Sequence, residues 1–263
     1  MNSILVTGAA GGMGYAVCEL LHQRGYEVWG LDVAPKQNTP WYYISVDLTD
    51  PPEIQRAFEE ISAQCVRLDA IVHMAGIYEL DSLVEMPEER FRRVFEVNLM
   101  AVFSVNRCFL PLLGRGSRIL ITTSELAPLD PLPFTGIYAI SKTALDSYAH
   151  ALRMELQLLG ISVSILRPGA VKTGLLSVST RRLREFCRDT KLYPCNAKRF
   201  ESIVNRVEAR NIPPEKIALL VLKMLRKRRA PLCRNINRNP LLRLLNLLPV
   251  GMQTRIIGRI LRE

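Results

Sequence analysis

A chain of 263 residues, 48% hydrophobic and 23% charged, is long enough to bury a large core and too apolar to stay disordered, so one α/β domain spanning 1–263 is expected. The formal charge of +10 is uneven: residues 1–180 carry 14 Lys/Arg against 19 Asp/Glu, and residues 181–263 carry 21 against 6, so the basicity belongs to the last third. Cys18, Cys65, Cys108, Cys187, Cys195 and Cys233 include no C-x-x-C pair, which argues against a zinc site or a disulfide framework. No metal is expected. No apolar run reaches 18 residues and the N-terminus reads as a strand rather than a signal peptide, so the expected location is cytoplasmic.

In chain order, Ser3-Ile4-Leu5-Val6 reads as a strand that meets Thr7-Gly8-Ala9-Ala10-Gly11-Gly12-Met13-Gly14, after which Ala16, Val17, Leu20 and Leu21 fall at helical spacing. Glycines let backbone approach a pyrophosphate closely, and the helix N-terminus offers it free N–H groups. A plain loop shares this composition, and T-G-x-x-x-G-x-G is not the general dinucleotide fingerprint. A second strand, Tyr26 to Leu31, ends in Asp32, placed to accept from adenosine ribose hydroxyls and to repel a 2′-phosphate. That favours NAD over NADP, although Lys36 lies nearby. A third strand, Trp41 to Val46, leads to Asp47-Leu48-Thr49, where Asp47 either caps the turn or meets the adenine, and a helix runs from about Pro52 to Gln64.

Leu68 to Met74 reads as the fourth strand, exiting through Ala75-Gly76. Glu88 to Leu112 is a long helix with one apolar stripe, interrupted by Asn98; a buried amide must be bonded, so Asn98 is expected to hold a backbone group or a water. Gly116 to Thr123 is a β-branched strand ending at Ser124. In the helix 136–159, Tyr138 and Lys142 lie one turn apart on one face, close enough for the ammonium to favour the phenolate and open proton chemistry to the tyrosine. A surface pair has the same spacing. Ile161 to Leu166 is the sixth strand, followed by Pro168-Gly169-Ala170-Val171-Lys172-Thr173.

Thr7-Gly8-x-x-x-Gly12-x-Gly14, Asp32, Asp47, Asn98, Ser124, Tyr138-x-x-x-Lys142 and Pro168-Gly169-x-x-x-Thr173, in this order, resemble the short-chain dehydrogenase/reductase family over roughly residues 3–175. The resemblance implies a Rossmann-type, doubly wound parallel sheet of about seven strands with helices on both faces. It implies that Asn98, Ser124, Tyr138 and Lys142 are catalytic, with Lys142 lowering the phenol pKa and Asn98 holding a water that links Lys142 to solvent. Cofactor contacts are implied at Gly8, Gly12, Met13, Gly14, Asp32, Asp47, Leu48, Ala75, Gly76, Tyr138, Lys142, Pro168, Gly169, Val171 and Thr173. Homodimers or homotetramers are the family habit. Two departures stand out: His73-Met74-Ala75-Gly76 replaces the family's Asn-Asn-Ala-Gly, with His73 expected to be a buried structural histidine, and the spacing from Ser124 to Tyr138 is a residue long.

Residues 174–212 read as a substrate-lid insertion, whose Leu175, Leu176, Leu183, Phe186, Leu192 and Tyr193 line a hydrophobic substrate or pack the lid on itself. Leu132-Pro133-Phe134 resembles hydroxysteroid dehydrogenase members of the family. Ile212 to Lys227 is an amphipathic helix, and residues 230–263 read as a basic, leucine-rich amphipathic extension. Such an end lies on an anionic membrane, seals a subunit interface or covers the core, with nucleic acid the weakest candidate. The expected function is NAD(H)-dependent interconversion of a secondary alcohol and a ketone on a steroid, retinoid or lipid-like substrate. The alternatives are reduction of a 3-oxoacyl thioester carried by an acidic protein, or a non-catalytic dinucleotide sensor.

Overall fold

The computed structural model describes residues 2–35 and 38–262, without the side chains of residues 175–179 and 208. Lys36, and the side chains of Leu175 and Leu176, therefore lie outside the described residues. The central sheet is built from β1 (Ser3–Thr7), β2 (Glu27–Asp32), β3 (Tyr42–Ser45), β4 (Ala70–His73), β5 (Arg118–Thr122), β6 (Ser162–Pro168) and β7 (Cys233–Ile236). Its order is β3-β2-β1-β4-β5-β6-β7, with every described pair parallel. This is a doubly wound sheet whose order reverses between β1 and β4, where such folds open a crevice at the strands' C-terminal ends.

Both faces are covered. The helices are α1 (Gly12–Gln23), α2 (Pro51–Ser62), α3 (Glu88–Phe95), α4 (Ala101–Phe109), α5 (Gly136–Leu156), α6 (Gly174–Asp189), α7 (Pro194–Glu208), α8 (Pro214–Arg226), α9 (Pro240–Leu245) and α10 (Val250–Arg262). Along β1, Ile4 and Val6 join Val17, Ile217 and Val221 of α1 and α8, while Leu5 joins Ile54, Val105 and Phe109 of α2 and α4. Alternate residues of a strand point to opposite faces, so a strand covered on both sides reads as a continuous apolar run. On the second face, α5 lays Leu145 and Ala149 over Ile119, Ile121, Val163 and Ile165 of β5 and β6.

Two expectations are corrected. Residues 230–263 are not wholly an extension: the seventh strand, β7, lies within them and pairs with β6, and the added helices start only at Pro240. The Glu88–Leu112 helix is not uniform, because residues Glu96–Met100 form a π turn between α3 and α4. Asn98 lies within this turn and is fully buried. This stretch is long and apolar enough to cross a membrane, yet α4 packs against the sheet through Val102, Val105 and Phe109.

Residues 174–208 form a helical pair, α6 and α7, held by a small core of its own. Leu183, Phe186 and Phe200 surround Phe134, whose ring also meets Tyr193, and Leu261 of α10 joins the cluster. The lid apolar residues named from sequence thus divide: Leu183, Phe186 and Tyr193 pack the pair onto itself, and Leu192 is exposed.

Candidate active site

The first cleft starts where β1 ends. Gly8 has φ +72°, a conformation that suits glycine, and a Cβ there would lie 2.6 Å from the Ala75 nitrogen. The Thr7 hydroxyl accepts the N–H groups of Met74 and Ala75, both at 3.3 Å, fastening the ends of β1 and β4. α1 begins at Gly12 with Gly11 as an N-cap lacking a side-chain cap. These features border a cavity of about 340 Å³. The glycine turn supplies Gly8, Gly12, Met13 and Gly14 to it; the ends of β2 and β3 supply Asp32, Asp47 and Leu48; and Ala75, Gly76 and Thr173 complete the wall. A Cβ at Gly12 would fall 2.8 Å from the Thr173 methyl, so a larger residue would push the two turns apart. Backbone pressed this close to a cavity, beside an uncapped helix start, fits a pyrophosphate.

Asp32 accepts the N–H of Ala10 through one carboxylate oxygen and that of Ala34 through the other, both at 3.0 Å, which fixes its orientation. Asp47 does cap its turn: one oxygen accepts the Thr49 N–H at 2.9 Å and hydroxyl at 2.6 Å, holding the carboxyl below its usual pKa. It still faces the cavity.

A second cavity, of about 180 Å³, adjoins the first; both are walled by Met13, Met74, Gly76, Ile77 and Thr173. Ser124, Tyr138, Lys142, Pro168, Gly169 and Val171 face it. Tyr138 hydrogen-bonds the Ser124 side chain, and its ring meets Tyr78 edge-on at 4.4 Å. Ser124 also accepts the Leu126 N–H at 3.2 Å, and the neighbouring Thr123 hydroxyl is tied to Asp146, itself clamped by Arg167 through two bonds of 2.8 and 2.6 Å. The strand end carrying Ser124 is therefore anchored from α5 and β6. The Lys142 ammonium lies 5.9 Å from the Tyr138 ring centre and points to the Thr122 carbonyl at 3.4 Å.

Asn98 lies behind this centre. Its amide donates to the Ile77 carbonyl and the Ser141 hydroxyl, both at 3.0 Å, and its oxygen accepts the Ile77 N–H at 2.8 Å. Both amide hydrogens are used by protein groups. The residue therefore acts first on the Ile77 backbone, between the two cavities, rather than by donating to a water. His73 is buried and paired with Asn106 at 2.9 Å, and burial pushes it down to about 4, so it stays neutral. Met74 occupies the family's asparagine position and accepts a bond from the Thr122 hydroxyl at 3.1 Å.

The electrostatics differ from expectation in sign. Burial pushes the Tyr138 phenol up to about 12, with the Ser124 bond opposing it and the Glu125 charge adding to it. Burial likewise pushes Lys142 down to about 8. Desolvation disfavours the charged form of both groups and outweighs the attraction that their spacing promises. The centre as it stands holds a protonated phenol beside a weakened ammonium.

Several wall residues of the second cavity were not singled out from sequence: Tyr78, Glu125, Leu126, Ile203, Val207 and Leu242. Leu242 belongs to α9, which is tied to the loop 125–135 because the Asp130 N–H donates to Asn246 at 2.7 Å and the Asn239 N–H donates to Glu125 at 2.6 Å. α9 thus helps to wall the pocket. All six cysteines are free, and no cluster suited to a metal ion occurs among the described residues.

A family model described as short chain dehydrogenase matches residues 2–183. The chain is 26% identical over 230 residues to the 3-ketodihydrosphingosine reductase of Bacteroides thetaiotaomicron, covering 87% of this chain and 85% of that protein. It is 28% identical over 234 residues to the NADPH-dependent 3-dehydrocapnine reductase of Ornithobacterium rhinotracheale, covering 83% and 82%. Against estradiol 17-beta-dehydrogenase 2 of Mus musculus it is 29% identical over 187 residues, covering 66% and 49%. Among solved structures, the aldohexose dehydrogenase of Thermoplasma acidophilum shares the fold with a TM-score of 0.75 at 19% identity, covering 91% of this chain and 95% of that one. A short chain dehydrogenase family protein from Francisella tularensis gives a TM-score of 0.71 at 26% identity, covering 86% and 91%.

Proposed function

This chain belongs to the short-chain dehydrogenase/reductase family of nicotinamide-dependent oxidoreductases, and on that premise we propose that it reduces a ketone on a long-chain, lipid-like molecule, with Tyr138 as the proton donor. The observation that carries the reading is the shared wall of Met13, Met74, Gly76, Ile77 and Thr173 between the cleft and the pocket holding Ser124 and Tyr138. The cleft residues would hold a dinucleotide and those of the shared wall its nicotinamide, which when bound would supply the hydride.

The residues would then divide the work as follows. Ser124 holds the carbonyl oxygen, and Tyr138 delivers a proton to it as the carbon is reduced. Burial keeps the phenol protonated but weakens it as an acid, so its donor role depends on the positive charge of Lys142. Lys142 offers positive charge to the phenolate left behind, and Asn98 keeps Ile77 in place through its paired bonds. Oxidation of the alcohol is the same path in reverse.

NADH is the favoured reductant. Asp32 borders the cleft with a fixed carboxylate beside the apolar Ala10 and Val33, and the one cation lining the cleft among the described residues, Arg93, is tied to Thr49. This is a difference from the relative whose name specifies NADPH. The apolar lining by Leu126, Leu132, Ile203, Val207 and Leu242 supports a hydrophobic chain, in keeping with the names of the two reductases above.

One wall of the pocket also comes from a helix whose outer face suits a lipid surface. On α9 and the following turn, Leu241, Leu244 and Leu247 are exposed while Leu242 faces the pocket, and on α10 Met252, Ile256 and Ile260 form an exposed apolar row beside Arg255, Arg259 and Arg262. Apolar side chains flanked by arginines match an anionic bilayer, so the enzyme would take its substrate from that surface. The functional test is coupled oxidation of NADH and NADPH with long-chain ketones, steroids, retinoids and 3-oxoacyl thioesters. NADH-dependent turnover of a long-chain ketone is expected; turnover confined to acyl thioesters, or only with NADPH, would overturn the reading.

A further inference from the structure

Glu125 is the one acidic side chain on the wall of the substrate cavity among the described residues, and it directly follows Ser124. It is only 6% exposed. One carboxylate oxygen accepts the Asn239 N–H at 2.6 Å. The other lies 2.8 Å from where a Cβ at Gly169 would stand, so the small residue at 169 leaves room for it on the pocket wall. Its backbone N–H donates to the Pro168 carbonyl at 2.9 Å, which sets the residue rigidly at the end of β5.

The charge of this carboxylate is incompletely met. Arg238 is near enough to favour ionisation, yet no ion pair joins the two among the described residues, and burial still holds the carboxyl above its usual range. Its influence also reaches the Tyr138 phenol. A buried carboxylate costs free energy unless a cation joins it, and Lys142, the cation facing the same cavity, is directed to the Thr122 carbonyl instead. For anchoring the 237–239 turn alone, an asparagine or glutamine oxygen would accept the same N–H without that cost.

We propose that Glu125 is a specificity-determining residue that binds a primary ammonium carried next to the ketone, so that the preferred substrate is a long-chain α-amino ketone. The placement follows the chain: Ser124 takes the carbonyl oxygen, and the next residue takes the group on the adjoining carbon. The apolar wall takes the hydrocarbon. The assignment rests on the ketone-reductase reading above, and it adds a charge requirement that the reading does not contain.

The test compares wild type with Glu125→Gln, which keeps an acceptor for the Asn239 N–H and removes the charge. Two measurements are made: steady-state kinetics with a palmitoyl-length α-amino ketone and with the same ketone lacking the amine, and calorimetric binding of the corresponding amino alcohol. The expected result is a KM for the amino ketone raised about 10- to 100-fold in the variant with the KM for the amine-free ketone little changed, any change in kcat passed on through Tyr138 being common to both ketones, and a parallel loss of amino-alcohol affinity. Equal rises in KM for both ketones would make Glu125 a structural latch and overturn the proposal. So would a wild type that binds the amino alcohol no better than its N-acetyl derivative. Amine-dependent binding without turnover of either ketone would instead overturn the reductase reading and leave Glu125 as the amine site.

Discussion

Asn98 and Ile77 form a closed pair: the amide of Asn98 donates to the Ile77 carbonyl at 3.0 Å and accepts the Ile77 N–H at 2.8 Å. One buried side chain thus replaces a strand partner for the backbone that walls both cavities. Asn98 lies within the π turn and is fully buried. Substituting Asn98→Leu leaves both Ile77 groups and the Ser141 hydroxyl without that partner, and is expected to cost about 2–4 kcal/mol of stability. Denaturant titration measures this, and a loss below about 0.5 kcal/mol would show that the pair is dispensable.

His73 predicts a pH dependence of stability. Its folded pKa, lowered to about 4 by burial, lies below the 6.5 of the unfolded chain, so as pH falls through that window the unfolded state binds a proton that the folded state refuses. Stability is full above the upper value and is lost progressively toward the lower one, by up to about 3 kcal/mol. His73→Gln, which can still reach Asn106, should flatten this acid limb. Glu79 and Glu125, raised by burial, slope the other way but are common to both proteins. Parallel stability curves for wild type and variant between these pH values would refute the assignment.

The proposed preference for NADH rests on Asp32. Asp32→Asn removes the negative charge facing a 2′-phosphate, and the affinity for NADPH relative to NADH should rise about tenfold or more. Quenching of protein fluorescence by each nucleotide gives the ratio. An unchanged ratio would mean that another group discriminates.

The exposed leucines predict lipid binding. Vesicles containing phosphatidylglycerol should sediment the protein, phosphatidylcholine vesicles should do so weakly, and the triple substitution Leu241→Gln, Leu244→Gln, Leu247→Gln should abolish the difference while leaving NADH binding intact. These side chains are exposed, so the fold should tolerate the change. Sedimentation of the triple variant equal to that of wild type would exclude this face as the contact.

Much of this architecture was legible in residue order because its signals are local. Strand, glycine turn and helix follow one another from Ser3 to Gln23, and Tyr138 and Lys142 sit one turn apart. What escaped is what folding alone brings together. β7 was missed as Cys233–Ile236 because its residues include an exposed arginine and asparagine and carry no apolar pattern. Leu242 reaches the pocket from over a hundred residues beyond Tyr138, through a helix tied down by Asn239 and Asn246. Spacing also revealed that Lys142 neighbours Tyr138 without revealing that both are buried, and burial sets the direction of their shifts. Glu125, beside a serine already singled out, carried the best missed signal: an acidic residue at the exit of an apolar strand.

The central claim is that the Tyr138 hydroxyl transfers the proton. Its most direct test is Tyr138→Phe, with turnover of a reduced ketone and NADH binding measured on the same preparation. The account predicts a loss of about a hundredfold to ten-thousandfold in kcat with NADH affinity unchanged. Turnover within a few-fold of wild type, with the nucleotide still bound, would contradict it.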